Sequence, residues 1–220
     1  MISKHIIRSI FSLAVLLFAA SCQKDPDGSA PDGNNLTLQV LLPVEGGTKA
    51  TEDGEKALNE NKISTLDVFI YKEGEDACAH YQRIVPVDGM TRYGISKNRS
   101  AFAENTGYSV YVVANAGTAA AGAMSLAELK AAVVAQALNP DAVQTDLLMD
   151  GKSIATVLND GTKANKNIDV SLKRGVAKIR VNLSYGADYQ PAGQVTKKLV
   201  NYASDARVLE TGDVHTPALA

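Results

Sequence analysis

Ser109-Val110-Tyr111-Val112-Val113-Ala114 is β-branched or aromatic at nearly every position and stops at Asn115-Ala116-Gly117. Such residues fit a pleated, packed surface, so the stretch predicts a central β-strand followed by a turn. Working outward, Ser125-Leu126-Ala127-Glu128 has the spacing of a capping box, and Leu126, Leu129, Val133 and Ala137 recur near helical period until Asn139-Pro140. One helix is therefore predicted there. Beyond it, residues 154–158, 168–172 and 176–183 read as strands; in the last, Ala177, Ile179, Val181 and Leu183 oppose Lys178, Arg180 and Asn182. Upstream, Leu66, Val68 and Ile70 alternate with Asp67, Phe69 and Tyr71, leaving both faces partly apolar. Weaker strand signals lie at 81–87 and 93–95, around Pro86 and Asp88-Gly89. Farthest upstream, Leu36, Leu38, Val40 and Leu42 share one face of an amphipathic strand and Thr37 and Gln39 the other, with Pro43 closing it. No repeat of fixed period occurs. Many short strands with a single helix predict a mainly β protein, an antiparallel β-sandwich or barrel-like domain with one or two helical insertions.

The chain has 220 residues, enough for one domain or a small pair. Lys and Arg number 22 against 24 Asp and Glu, for a net charge of -2, with no extended basic stripe to meet a phosphate backbone. Nucleic acid is excluded as an expected partner. Without Trp the core must be built from Val, Leu, Ile and Ala, and the aromatic platforms that favour glycan binding are scarce. Residues 1–21 carry Lys4 and Arg8, then an apolar run from Ile10 to Ala20 that is too short to span a bilayer; they read as an export signal. Phe18-Ala19-Ala20-Ser21-Cys22 resembles the lipobox of bacterial lipoproteins, which implies acylation of Cys22; the other reading is an ordinary signal peptide with a chance Cys. Residues 22–35, rich in Asp, Gly, Pro and Asn, read as a flexible tether. With Cys22 acylated, Cys78 has no disulfide partner. The polar, Gly-bearing segment 45–61 reads as an exposed loop that proteases reach, and it contains Lys49-Ala50 and Lys56.

Catalytic chemistry finds little support. The strand, the Gly117 to Gly122 connection and the helix from Ser125 imitate a phosphate cradle, but Ala123-Met124 stand where Lys and a hydroxyl residue are needed. No Gly-x-Ser-x-Gly elbow occurs, and beyond the leader the imidazoles are His80 and His215 alone. Cys78-Ala79-His80 supplies too few ligands for zinc and reads as a strand carrying one thiol. No enzyme, cofactor or metal is expected.

Several segments in order resemble the amino-terminal half of the Bacteroidales fimbrillins, the major fimbrium subunits. They are the leader to Cys22, the strand at 36–42 with the basic loop residue Lys49 after it, Leu66-Asp67-Val68-Phe69-Ile70-Tyr71, and Val110-Tyr111-Val112-Val113-Ala114-Asn115-Ala116-Gly117. Ser125-Leu126-Ala127-Glu128-Leu129-Lys130, Leu147-Leu148-Met149-Asp150-Gly151 and Leu172-Lys173-Arg174-Gly175-Val176-Ala177-Lys178-Ile179 complete the series. The resemblance implies a transthyretin-like Greek-key sandwich over residues 50–205, preceded by a propeptide at 36–49. It also implies export as an outer-membrane lipoprotein held in the bilayer through acylated Cys22, and cutting between Lys49 and Ala50 by a trypsin-like protease. The strand bearing Leu36, Leu38, Val40 and Leu42 would then be lost and replaced by a strand from another fimbrial subunit, building a cell-surface fimbrium that contributes to adhesion. Burying those four side chains at about 1.5–3 kcal/mol each gives roughly 6–12 kcal/mol before chain entropy is deducted, so losing the strand would open a costly groove. The sequence departs from the family's pattern in offering Lys49, with Lys56 as second choice, where Arg is usual. It also ends in a polar tail at 206–220 where a second sandwich is expected, so a truncated product or a short subunit that caps the polymer is anticipated. Two further readings are a membrane-retained anchor subunit whose loop is never cut and a surface lipoprotein that binds a ligand through its loops.

Overall fold

The computed structural model describes residues 33–43, 61–135, 146–175, 193 and 205–209. The chain divides into units Met1–Asp32 and Gly33–Ala220, and all the described residues belong to the second. Its strands are β1 (Leu36–Leu41), β2 (Leu66–Lys72), β3 (Cys78–Ile84), β4 (Arg92–Ile95) and β5 (Gly107–Ala114). After the helix α1 (Leu126–Ala131) come β6 (Val133–Ala135), β7 (Met149–Lys152), β8 (Thr156–Val157), β9 (Lys166–Ser171), β10 (Lys173–Arg174) and β11 (Asp205–Arg207). One sheet runs β4-β1-β9 and a second runs β10-β7-β5-β2-β3, with β8 also on β5; β11 and β6 form a separate pair.

The two larger sheets face each other across a core of alternate side chains, as in a sandwich. Leu36, Leu38, Val40, Tyr93, Ile95, Ile168 and Val170 come from the first sheet, and Leu66, Val68, Ile70, Tyr108, Val110 and Val112 from the second. The second sheet is buried on its other face too, which explains the apolar residues at both phases of β2 and β5. Phe69, Tyr71, Tyr111 and Val113 pack there against Leu129 of α1 and against Ala116, Ala120, Val208 and Leu209. Aromatic edges organise this layer, with the Tyr71 and Tyr111 rings 5.7 Å apart and perpendicular and the Tyr71 hydroxyl donating to the Met124 carbonyl at 3.0 Å.

Two local devices were visible in the sequence. Asn115 ends β5 in the left-handed region, at φ 63, and its side chain ties three segments: Oδ1 accepts from the Ser64 amide, while Nδ2 donates to the Lys62 and Leu147 carbonyls. At α1 the expected capping box is formed, Ser125 Oγ accepting from the Glu128 amide and Glu128 Oε2 from the Ser125 amide.

The helix is shorter than its periodicity predicts. It ends at Ala131, and Val133, expected on its apolar stripe, enters β6 with Val134 against β11. Two adjacent β-branched residues gain more from a strand partner than from another turn. Residues 154–158 also differ from expectation: Ile154 is 89% exposed, and the pairing with β5 falls to β7 and the two-residue β8. The expected strand at 81–87 begins earlier, at Cys78, and ends at Ile84. The strand predicted at 176–183 lies outside the described residues.

Candidate functional site

β1 is the first described strand in the chain and the middle strand of its sheet. Its alternation places Leu36, Leu38 and Val40 at 1%, 0% and 1% exposure, while Leu41, pointing the other way, is 45% exposed. β4 pairs antiparallel on one side, from Leu36 opposite Ile95 to Gln39 opposite Arg92. β9 pairs parallel on the other, from Leu36 opposite Lys166 to Leu41 opposite Ser171. Taking β1 away would separate β4 from β9 and leave both with unpaired backbone groups lining an apolar slot. Burial of the three anchors corresponds to roughly 5–9 kcal/mol before entropy.

The two ends of this slot differ chemically. At the start of β1, Asn34 is clasped by the short 3₁₀ turn Arg99–Ala101: its carbonyl accepts from the Arg99 amide at 3.0 Å and its Oδ1 from the Ser100 amide at 3.1 Å. Its Nδ2 also donates to Ser100 Oγ at 2.9 Å. The Asn35 amide donates to Asn165 Oδ1 at 3.1 Å, and the Asn35 carbonyl accepts from the Lys166 amide at 3.0 Å. Under the clasp lies the Arg99 side chain, 1% exposed, whose guanidinium donates to the Leu158 carbonyl at 2.7 Å, to the Ala164 carbonyl and to Asp160 at 2.5 Å. The Thr162 hydroxyl and amide, with Arg99 behind them, hold the Asp160 carboxyl well below the usual carboxylate range. At the far end Gln39 Nε2 donates to Thr91 Oγ1 at 3.0 Å, Arg92 Nε donates to Gln39 Oε1 at 2.8 Å, and the Leu172 amide reaches the Leu41 carbonyl at 2.8 Å.

Of the residues expected to matter, Leu36, Leu38 and Val40 come together in the slot. Leu42 lies just past the end of β1 and packs half-buried against the margin of the same core. Cys22, Lys49, Ala50 and Lys56 lie outside the described residues. Asn34, Arg99, Asp160 and Asn165 were missed. Asn34 sits in a stretch whose composition reads as tether, and a lone Arg after Asn98 carries no periodic signal of burial. Cys78 and His80 both lie on β3, where the thiol donates to the His80 carbonyl at 3.1 Å; among the described residues no group of three or more His, Cys, Asp or Glu side chains could hold a metal ion.

A family model described as major fimbrial subunit protein (FimA) matches residues 34–200, from the Asn34 clasp onward. A fimbrial assembly protein from Parabacteroides distasonis is similar in fold, with a TM-score of 0.57 at 18% identity over 84% of this chain and 70% of that one. A fimbrilin from Porphyromonas gingivalis aligns at 19% identity with a TM-score of 0.43, over 64% of this chain and 40% of that one. The tip fimbrial protein Mfa3 of the same organism, with a C-terminal truncation, aligns at 13% identity and a TM-score of 0.40, over 64% and 48%. The chain thus spans less than half the length of those last two. No curated protein sequence matches it.

Proposed function

The chain belongs to the family of major fimbrial subunit proteins, and from that premise we propose that it is a structural subunit of a surface fimbrium, assembled by exchange of its first strand. The observation carrying this reading is the position of β1. It is first among the described strands yet central in its sheet, and the segment 44–60 separates it in sequence from the rest of the sandwich. A cut in that segment would leave β1 held by noncovalent contacts alone. The slot between β4 and β9 would then be an acceptor for a strand from a neighbouring subunit, with backbone bonds supplying affinity and the alternating pockets supplying register.

In this proposal Cys22 is acylated and tethers the precursor to the outer membrane, and a trypsin-like protease cuts between Lys49 and Ala50. The lipid leaves with β1, so release from the membrane and opening of the slot are one event. The cell surface and the fimbrium are accordingly the places of residence, and adhesion the service rendered.

Intact mass and amino-terminal sequencing of the protein from shed filaments, and separately from the outer-membrane fraction, test the proposal. A filament species that begins at Ala50 and lacks lipid is expected. Finding only a membrane species with acylated Cys22 would overturn processing and point to an anchor subunit or a ligand-binding lipoprotein.

A further inference from the structure

The slot occupied by β1 is not symmetric along its length. Three apolar pockets would accept many alternating sequences, since any strand with Leu, Ile or Val at every second position fills them. The Asn34 clasp is more demanding. It presents two backbone amides, from Arg99 and Ser100, and one hydroxyl, from Ser100, to a single residue, and Asn34 answers with its carbonyl, its side-chain oxygen and its side-chain nitrogen. The clasp also has contacts of its own that β1 does not make. Arg99 turns its side chain inward onto the carbonyls of Leu158 and Ala164 and onto Asp160, while its own amide faces outward to Asn34. The inward contacts tie the 3₁₀ turn to the loop before β9 and support the outward amides from behind.

We propose that this clasp is a specificity determinant for the strand that replaces β1. The incoming segment must carry a side chain with an acceptor oxygen, Asn or Asp, two residues before its first apolar anchor, and must run in the direction of β1, parallel to β9. This rests on the strand-exchange reading above and adds to it a register and a polarity. Apolar pockets repeat every two residues, so a strand slipped by two still fills most of them. A clasp at one end does not repeat. When the slip carries the first anchor to the clasp, an apolar residue meets the Ser100 amide and hydroxyl, and their hydrogen bonds are lost.

The test uses the full chain, with a site for a sequence-specific protease inserted between Lys49 and Ala50 and cut after folding. A fluorescent peptide of residues 33–43 is added in excess, and its uptake is followed by anisotropy while the temperature is raised towards the unfolding midpoint. The unaltered peptide is expected to replace β1. Peptide N34A should bind roughly 5- to 30-fold more weakly through the loss of two side-chain hydrogen bonds, N34D close to the unaltered peptide, and T37S within about twofold of it. Equal binding by N34A and the unaltered peptide overturns the clasp as a determinant and leaves strand exchange standing. If no peptide enters before the protein unfolds, strand exchange itself is overturned, and the clasp proposal with it.

Discussion

At the scale of single residues, Arg99 is the position where the fold concentrates most polar obligation. A guanidinium with 1% exposure is tolerated because its donors meet carbonyls and a carboxylate, and removing it leaves the carbonyl of buried Leu158 without that donor. R99M keeps much of the volume and none of the donors, so it is expected to lower the unfolding free energy by about 3 kcal/mol in chemical denaturation. His80 makes a different prediction. Burial, helped by the nearby Lys97 charge, pushes its pKa below the ordinary value, so the folded protein favours the neutral ring. Below about pH 6.5 the unfolded chain therefore binds more protons at this site than the folded one, and stability falls as pH drops through the interval between the two values. Between about pH 7.5 and 5.5, H80N should lose less of its thermal midpoint than the unaltered protein does.

At the scale of elements, β1 stands out for the contrast between its faces. L38A removes a side chain with 0% exposure from the middle of the slot and is expected to cost about 2–5 kcal/mol, whereas T37A on the outer phase should change stability by roughly 0.5 kcal/mol or less; equilibrium unfolding in urea measures both. These phases were legible in the sequence, because period two in a strand is a direct statement about which side chains meet the core. So were β2, β5 and the cap of α1, each carried by a local pattern. What the sequence hid were features decided by distant partners. Val133 fits a helical stripe, yet with Val134 it becomes a strand because β11 is there to receive them. Met149 to Lys152, with Gly151 in the middle, has poor strand propensity, yet β7 pairs with β5. Gly151 is suited to its place, since a Cβ there would lie 2.3 Å from the Ser171 carbonyl oxygen. The Asn34 clasp was illegible for the same reason: Asn34 is a tether residue by composition and acquires its role from a turn 66 positions away.

At the scale of the whole molecule, the sandwich is closed by a strand joined to it through segment 44–60. Once that segment is cut, the folded state becomes a complex of two pieces, and mass action governs it. The thermal midpoint of the cut protein should rise with protein concentration, while that of the uncut protein should not; differential scanning calorimetry over a hundredfold range of concentration distinguishes them. The parallel pairing of β1 with β9 also has a bearing on birth. Asn35 meets Asn165 across 130 residues of chain, so on a ribosome adding roughly 5–20 residues per second the first strand waits about 6–26 s for the second of its two neighbours to be made. β4 and the strands across the core are made sooner, so through the later part of that interval the first strand lacks a neighbour on one flank only.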